Sequence, residues 1–166
     1  AGHADFLVEF GLAVGEGLAL LLGKRRIFGK DFGWHRKIAS FGDGAEALLD
    51  LTFRAAQTVT FTLAYGLERV TLTYDRASQV MTIDRTGMKK GGRGVRRFKL
   101  FTDRTLSLQL FVDKTVVEAF FEHGEETATW SVFPEKNIAP ELLVTADAPL
   151  ENVTGRVWAL DAIQFH

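Results

Sequence analysis

The chain has 166 residues, 46% of them hydrophobic, with 14 phenylalanines and a formal net charge of −1. That length suits one domain with a sizeable core, and so small a charge provides no field to draw the protein to nucleic acid or to anionic lipid. Cysteine is absent, which excludes disulfides and thiolate zinc sites and leaves the redox compartment open.

The chain opens Ala1-Gly2-His3 rather than on Met, and reads as a piece excised from a longer gene product with a cloning scar at its front. Phe6 to Leu22 is apolar, but Glu9, Glu16 and three glycines interrupt it. A membrane helix needs about 20 mostly apolar residues, so the segment predicts strands at Phe6–Phe10 and Leu18–Leu22. No basic region precedes it, which makes it a poor signal peptide. A cytoplasmic setting is the expectation and an extracellular one the alternative.

Trp34, His35 and Arg36 follow as the best cluster for stacking on and hydrogen-bonding to a sugar. A tryptophan packed in the core is the competing reading. Period-two alternation then dominates. Val59, Phe61, Leu63 and Tyr65 alternate with threonines and Ala64. Val70, Leu72 and Tyr74 do so with Thr71, Thr73 and Asp75. These are half-buried strands with one face on a core. Further strands are expected at Ala47–Arg54, Val80–Arg85, Val116–Glu122, Thr127–Phe133, Glu141–Thr145 and Arg156–Ile163. Leu106, Leu108, Leu110 and Val112 form another alternating run.

Turn chemistry separates the strands: Asp75 to Ser78, Asp113 to Thr115, and Glu122 to Glu125 with Gly124 free to take positive φ. Pro134 ends a strand for lack of an N–H. Lys136 to Leu142 holds a helical turn at most. Ten or so short strands with little helical pattern predict an all-β fold, an antiparallel two-sheet β-sandwich of the lectin-like jelly-roll type. No linker divides the chain, so residues 1–166 are expected to form one domain.

Four patterns bear on chemistry. The histidines His3, His35, His123 and His166 form no close pair, so no metal or other cofactor is expected. No Gly-x-Ser-x-Gly elbow exists for a serine nucleophile. Met88 to Arg97 carries five positive charges and three glycines. No Gly-Lys-Ser/Thr sequence follows it, so a solvated surface loop is the better reading than an anion cradle. Asp113 and Glu118 flank one turn, as the two carboxyl groups of a glycosidase would if about 5–9.5 Å apart. Burial would raise the Glu118 pKa unless a cation paired with it; Arg85, beside Asp84, is the expected partner. A structural ion pair and a catalytic acid both fit these residues.

The same stretch resembles the C-terminal domain of glycoside hydrolase family 32, the invertases, levanases, inulinases and sucrose-6-phosphate hydrolases. Leu108, Phe111, Val112, Asp113, Thr115, Glu118, Phe120, Gly124, Glu125, Phe133 and Pro134 fall at the family's places. Ile83-Asp84-Arg85 and Val157-Trp158-Ala159-Leu160 resemble two further family strands. Thr115 stands where Ser is usual, and Trp130-Ser131 where an Arg often precedes the strand end. The likeness runs over 46–166, and residues 1–45, an entry segment with the first strands, match nothing in the family pattern.

The resemblance implies a sandwich attached behind a five-bladed catalytic propeller. That propeller's carboxylates sit in Asn-Asp-Pro, Arg-Asp-Pro and Glu-Cys motifs. Here the three prolines follow Phe133, Ala139 and Ala148, and Cys is absent. No catalytic residue carries over, and Asp113, Glu118, Asp84 and Arg85 are expected to be structural. The implied function is a non-catalytic accessory domain of a β-fructofuranosidase-type enzyme such as a sucrose-6-phosphate hydrolase. Its implied partners are the propeller and a second subunit, without nucleic acid or membrane. Phe41, Phe53, Trp130, Phe133 and Trp158 are expected to seal one face against that partner. A carbohydrate-binding module is the alternative, and a self-sufficient enzyme using Asp113 and Glu118 the third reading.

Overall fold

A computed structural model describes residues 3–13, 34–40 and 44–160, with side chains over 44–158. Alternation does build strands. In β4 (Thr58–Tyr65) every second residue is buried, as it is in β3 (Ala45–Thr52), β5 (Glu68–Asp75) and β6 (Val80–Asp84). The remaining strands are β1 (His3–Ala13), β2 (Trp34–Ser40), β7 (Val95–Lys99), β8 (Thr105–Val112), β9 (Val116–Phe121), β10 (Glu126–Ser131), β11 (Glu141–Ala146) and β12 (Asn152–Leu160).

Every pairing among them is antiparallel. One sheet, here sheet A, runs β1-β12-β3-β8-β9-β10; sheet B runs β2-β11-β4-β5-β6-β7. Strands β4 to β7 form a meander in sheet B and β8 to β10 one in sheet A; elsewhere the chain switches sheets. The two inner faces meet in one core, with Leu49, Leu108 and Phe121 from sheet A and Phe61, Leu72 and Met81 from sheet B all fully buried. Two such apolar faces stack because neither can be left in water. Rings tie the layers together. Phe98 on β7 meets Phe121 on β9 at 5.4 Å, while on the sheet B side the Tyr74 hydroxyl donates to the Leu100 carbonyl, just past β7, at 3.0 Å. The expected two-sheet sandwich is therefore the observed fold.

Several details differ from the sequence reading. Val95 to Arg97 belong to strand β7 rather than to a surface loop. They were hidden because β7 is an edge strand with only Phe98 turned toward the core, so no alternation marks it. No helical turn forms at 136–142; the short 3-10 turn lies at Glu122–Gly124. Phe53 and Trp130 do not seal an outer face. Their exposures are 1% and 5%, because both fall at inward-pointing positions. The predicted strand at Leu18–Leu22 and the Phe41 side chain lie outside the described residues. Among the described residues no helix is long and apolar enough to cross a membrane.

The β9–β10 turn carries backbone strain. Glu122 and His123 both take positive φ, 47° and 59°, ahead of Gly124 at 93°. A Cβ on Gly124 would meet nothing within 4 Å, so Gly124→Ala is expected to act through the backbone alone. It should cost about 1 kcal/mol in chemical denaturation, while His123→Gly should move stability the other way.

Candidate functional site

Four connections gather at one end of the sandwich: the β4–β5 turn, the β6–β7 loop, the β8–β9 turn and the β10–β11 loop. A single carboxylate holds two of them together. Glu68 opens β5 at a position of the same parity as Val70, Leu72 and Tyr74, so its side chain is turned inward and only 5% of the residue is exposed. One carboxylate oxygen accepts the Lys89 N–H at 2.8 Å and the other the Glu135 N–H at 2.7 Å. These two bonds, the Glu135 one first, hold the Glu68 pKa below its ordinary value. Outside this latch, the Lys89 ammonium meets the Glu135 carboxylate at 2.5 Å.

The loops also touch directly. A Cβ at Gly91 would lie 2.9 Å from the Phe133 ring, so only glycine, at φ 84°, lets the loop approach that closely. Val132 donates its N–H to the Thr115 carbonyl at 2.9 Å. Between the loops lies an open pocket of about 220 Å³, lined by Tyr65, Asp113, Lys114, Pro134, Asn137, Ile138, Ala139 and Pro140. Burial pushes the Tyr65 phenol pKa up, and its hydroxyl has no hydrogen-bond partner among the described residues. Besides the exposed Asp113, Lys114 and Asn137 of the pocket, these loops hold large apolar side chains in water. Leu67 is 93% exposed, Phe133 45% and Ile138 41%.

The residues singled out in the sequence do not converge. Asp113 lines this pocket, and its carboxylate accepts the Lys114 N–H at 2.7 Å. Glu118 stands exposed on the outer face of β9, opposite Thr129 and Phe111, and does not line the pocket. Phe111 beside it is half-buried and Thr129 is exposed. The expected ion pair with Arg85 does not form. Arg85 follows β6 in the other sheet, and its guanidinium packs over Gly92 and Gly94. Asp84 caps the same loop, accepting the Thr86 hydroxyl at 2.6 Å and N–H at 2.8 Å. Those bonds lower the Asp84 pKa, the hydroxyl more than the N–H. Asp84 and Arg85 thus shape a loop, and Asp113 and Glu118 do not face each other across a cleft.

Trp34, His35 and Arg36 lie at the start of β2, in register with Ala146, Thr145 and Val144 of β11; their side chains are outside the described set. Among the described residues no group of His, Cys, Asp and Glu could hold a metal ion. The Glu68 latch was missed in the sequence, although strand parity pointed to it: the alternation that buries Val70 and Leu72 also buries Glu68.

Comparison with known proteins agrees with this geometry. The family described as glycosyl hydrolases family 32, C terminal, matches residues 32–157. The match begins upstream of Glu46 and so takes in β2. No curated protein sequence matches the chain. Among solved structures, the exo-inulinase of Aspergillus awamori is similar with a TM-score of 0.65 at 23% identity, over 80% of this chain and 30% of that one. The sucrose-6-phosphate hydrolase of Lactobacillus gasseri gives 0.63 at 20%, over 96% and 28%. A fructofuranosidase of Schwanniomyces occidentalis gives 0.65 at 12%, over 94% and 35%. At these identities the likeness is one of fold, and the chain spans about a third or less of each enzyme's length. The family match, by contrast, covers most of the sandwich, and the chain belongs to the C-terminal domains of glycosyl hydrolase family 32.

Proposed function

We propose that this chain is the non-catalytic accessory domain of a β-fructofuranosidase-type enzyme, with a sucrose-6-phosphate hydrolase as the parent the reading favours. It supports the catalytic propeller of that parent and lets subunits associate. The observation that carries this reading is the loop end of the sandwich. Leu67, Phe133 and Ile138 stand in water there on loops tied down by Glu68. Covering an exposed leucine or isoleucine contributes about 1.5–3 kcal/mol, and a rigid support avoids the ordering cost that mobile loops would add on docking. The scattered positions of Asp113 and Glu118 support a role without bond cleavage.

The docking half is tested in trans. The upstream catalytic segment of the parent, expressed separately, is expected to bind this chain in calorimetry. Leu67→Asp and Ile138→Asp should each weaken that binding by at least about tenfold without unfolding the sandwich. Binding that ignores both substitutions would move the docking face elsewhere.

A further inference from the structure

The loop end leaves one side of the sandwich unused, the side where β7 and β10 lie. Each is the last strand of its sheet, and the Phe98–Phe121 contact sets β7 over β9, the neighbour of β10. The ladders show which backbone groups remain free. Arg85 N–H bonds the Gly94 carbonyl and Leu100 N–H bonds that of Gln79. Hydrogen-bonded pairs alternate in an antiparallel ladder, so the N–H and C=O groups of Val95, Arg97 and Lys99 point away from β6. By the same alternation, the bond from Val132 N–H to the Thr115 carbonyl leaves those of Thr127, Thr129 and Ser131 pointing away from β9. Among the described residues, nothing pairs with either edge. Each edge therefore offers three consecutive outward-facing sets of donors and acceptors.

The two edges differ in charge. The β7 edge carries exposed Arg93, Arg96, Arg97 and Lys99. The Arg96 guanidinium lies 5.6 Å from the Phe98 ring centre, and the Lys99 ammonium bonds the Ser78 carbonyl at 2.6 Å; Asp84 is the nearby acid on β6. The β10 edge carries Glu125 and Glu126 at its start, with Glu118 exposed beside Thr129. Pairing β7 with another β7 would oppose like charges, which destabilises a sheet. Pairing β7 with β10 opposes unlike ones. A twofold axis through the open side exchanges the two sheets, so the contact occurs twice and closes.

We infer that this side binds a second copy of the chain, β7 of each protomer continuing into β10 of the other. This deepens the association half of the proposed function and rests on it. Aligning the edges at their centres sets Arg97 beside Thr129 of the second copy, with Glu118 of that copy one strand beyond. The gap is about 5 Å per strand, within reach of an arginine.

Sedimentation velocity over a concentration series tests the inference on this chain. The expected result is a reversible dimer weakened by salt. Arg97→Glu and Glu118→Arg should each raise its Kd by about tenfold or more, and the two together should restore it. Thr129→Pro removes an outward N–H that the fold itself does not use and should also abolish the dimer. A dimer indifferent to all of these overturns the assignment of this surface while leaving association standing. A chain that stays monomeric at every concentration overturns both.

Discussion

Phe121→Ala is expected to destabilise the domain by about 3–5 kcal/mol, a fall of roughly 10 °C or more in Tm for a chain of this size. Phe121 is fully buried on the inner face of β9, in register with Leu108 on β8. It meets Phe98 of the opposite sheet edge-on at 5.4 Å. Truncation removes the transfer free energy of the ring and leaves a cavity that two stacked sheets cannot fully close. It also removes a contact that bridges the layers. The neighbouring residue gives the control. Phe120 points to the outer face, where it meets Phe111 at 5.8 Å in a perpendicular pair. Phe120→Ala loses one cross-strand pair in partial contact with water and should cost about 1 kcal/mol. Comparable losses for the two, measured by urea denaturation, would contradict the assigned faces of β9.

Glu68→Gln is expected to release the loop end. The carboxylate accepts two backbone N–H groups at once. An amide of the same shape can accept only one of them and turns its own N–H groups toward the other. A buried donor left facing a donor is costly. Hydrogen exchange should therefore show the Lys89 and Glu135 amides losing protection by at least about tenfold, while the β8–β9 ladder keeps its own. A pH dependence follows from the same bonds. The folded-state pKa of Glu68 is lowered from 4.5, so the folded form holds fewer protons than the unfolded one in this range. The stabilisation is fully present above the unfolded value and is lost as pH falls through the lowered folded one. Wild type should lose loop protection below about pH 4.5, and Glu68→Gln should show little of that dependence. Equal acid sensitivity in both proteins would place the titrating group elsewhere.

These expectations show which parts of the molecule were legible in its sequence. Central strands were, because burial on one face forces alternation, as at Val59, Phe61, Leu63 and Tyr65. Edge strand β7 was not, since an edge need bury little, and its arginines and lysine resemble a loop. The turn at Asp113 to Thr115 was read correctly, and the Asp113 carboxylate accepts the Lys114 N–H there. The supposed Glu118–Arg85 pair was not legible, because nothing local says that their strands belong to opposite sheets. Phe53 and Trp130 looked like material for an interface, but parity sends them inside. Glu68 shares the inward parity of Val70, Leu72 and Tyr74, which implies its burial but not what it binds. Its role becomes visible only when the loops carrying Lys89 and Glu135, distant in sequence, arrive above it.

The family pattern around Asp113 and Glu118 identified the domain, while its geometry separates the two carboxylates. Asp113 sits at the loop end, lining the same pocket as exposed Ile138, and Glu118 faces outward beside β10. A pair that resembled catalytic machinery in one dimension thus marks two different surfaces in three.

The most direct measurement is fructose release by this chain alone, given sucrose, sucrose-6-phosphate and a β-fructan. The expected result is no turnover above the uncatalysed background, with the chain folded throughout. Turnover that Glu118→Gln or Asp113→Asn abolishes would contradict a supporting role and make this domain an enzyme in its own right.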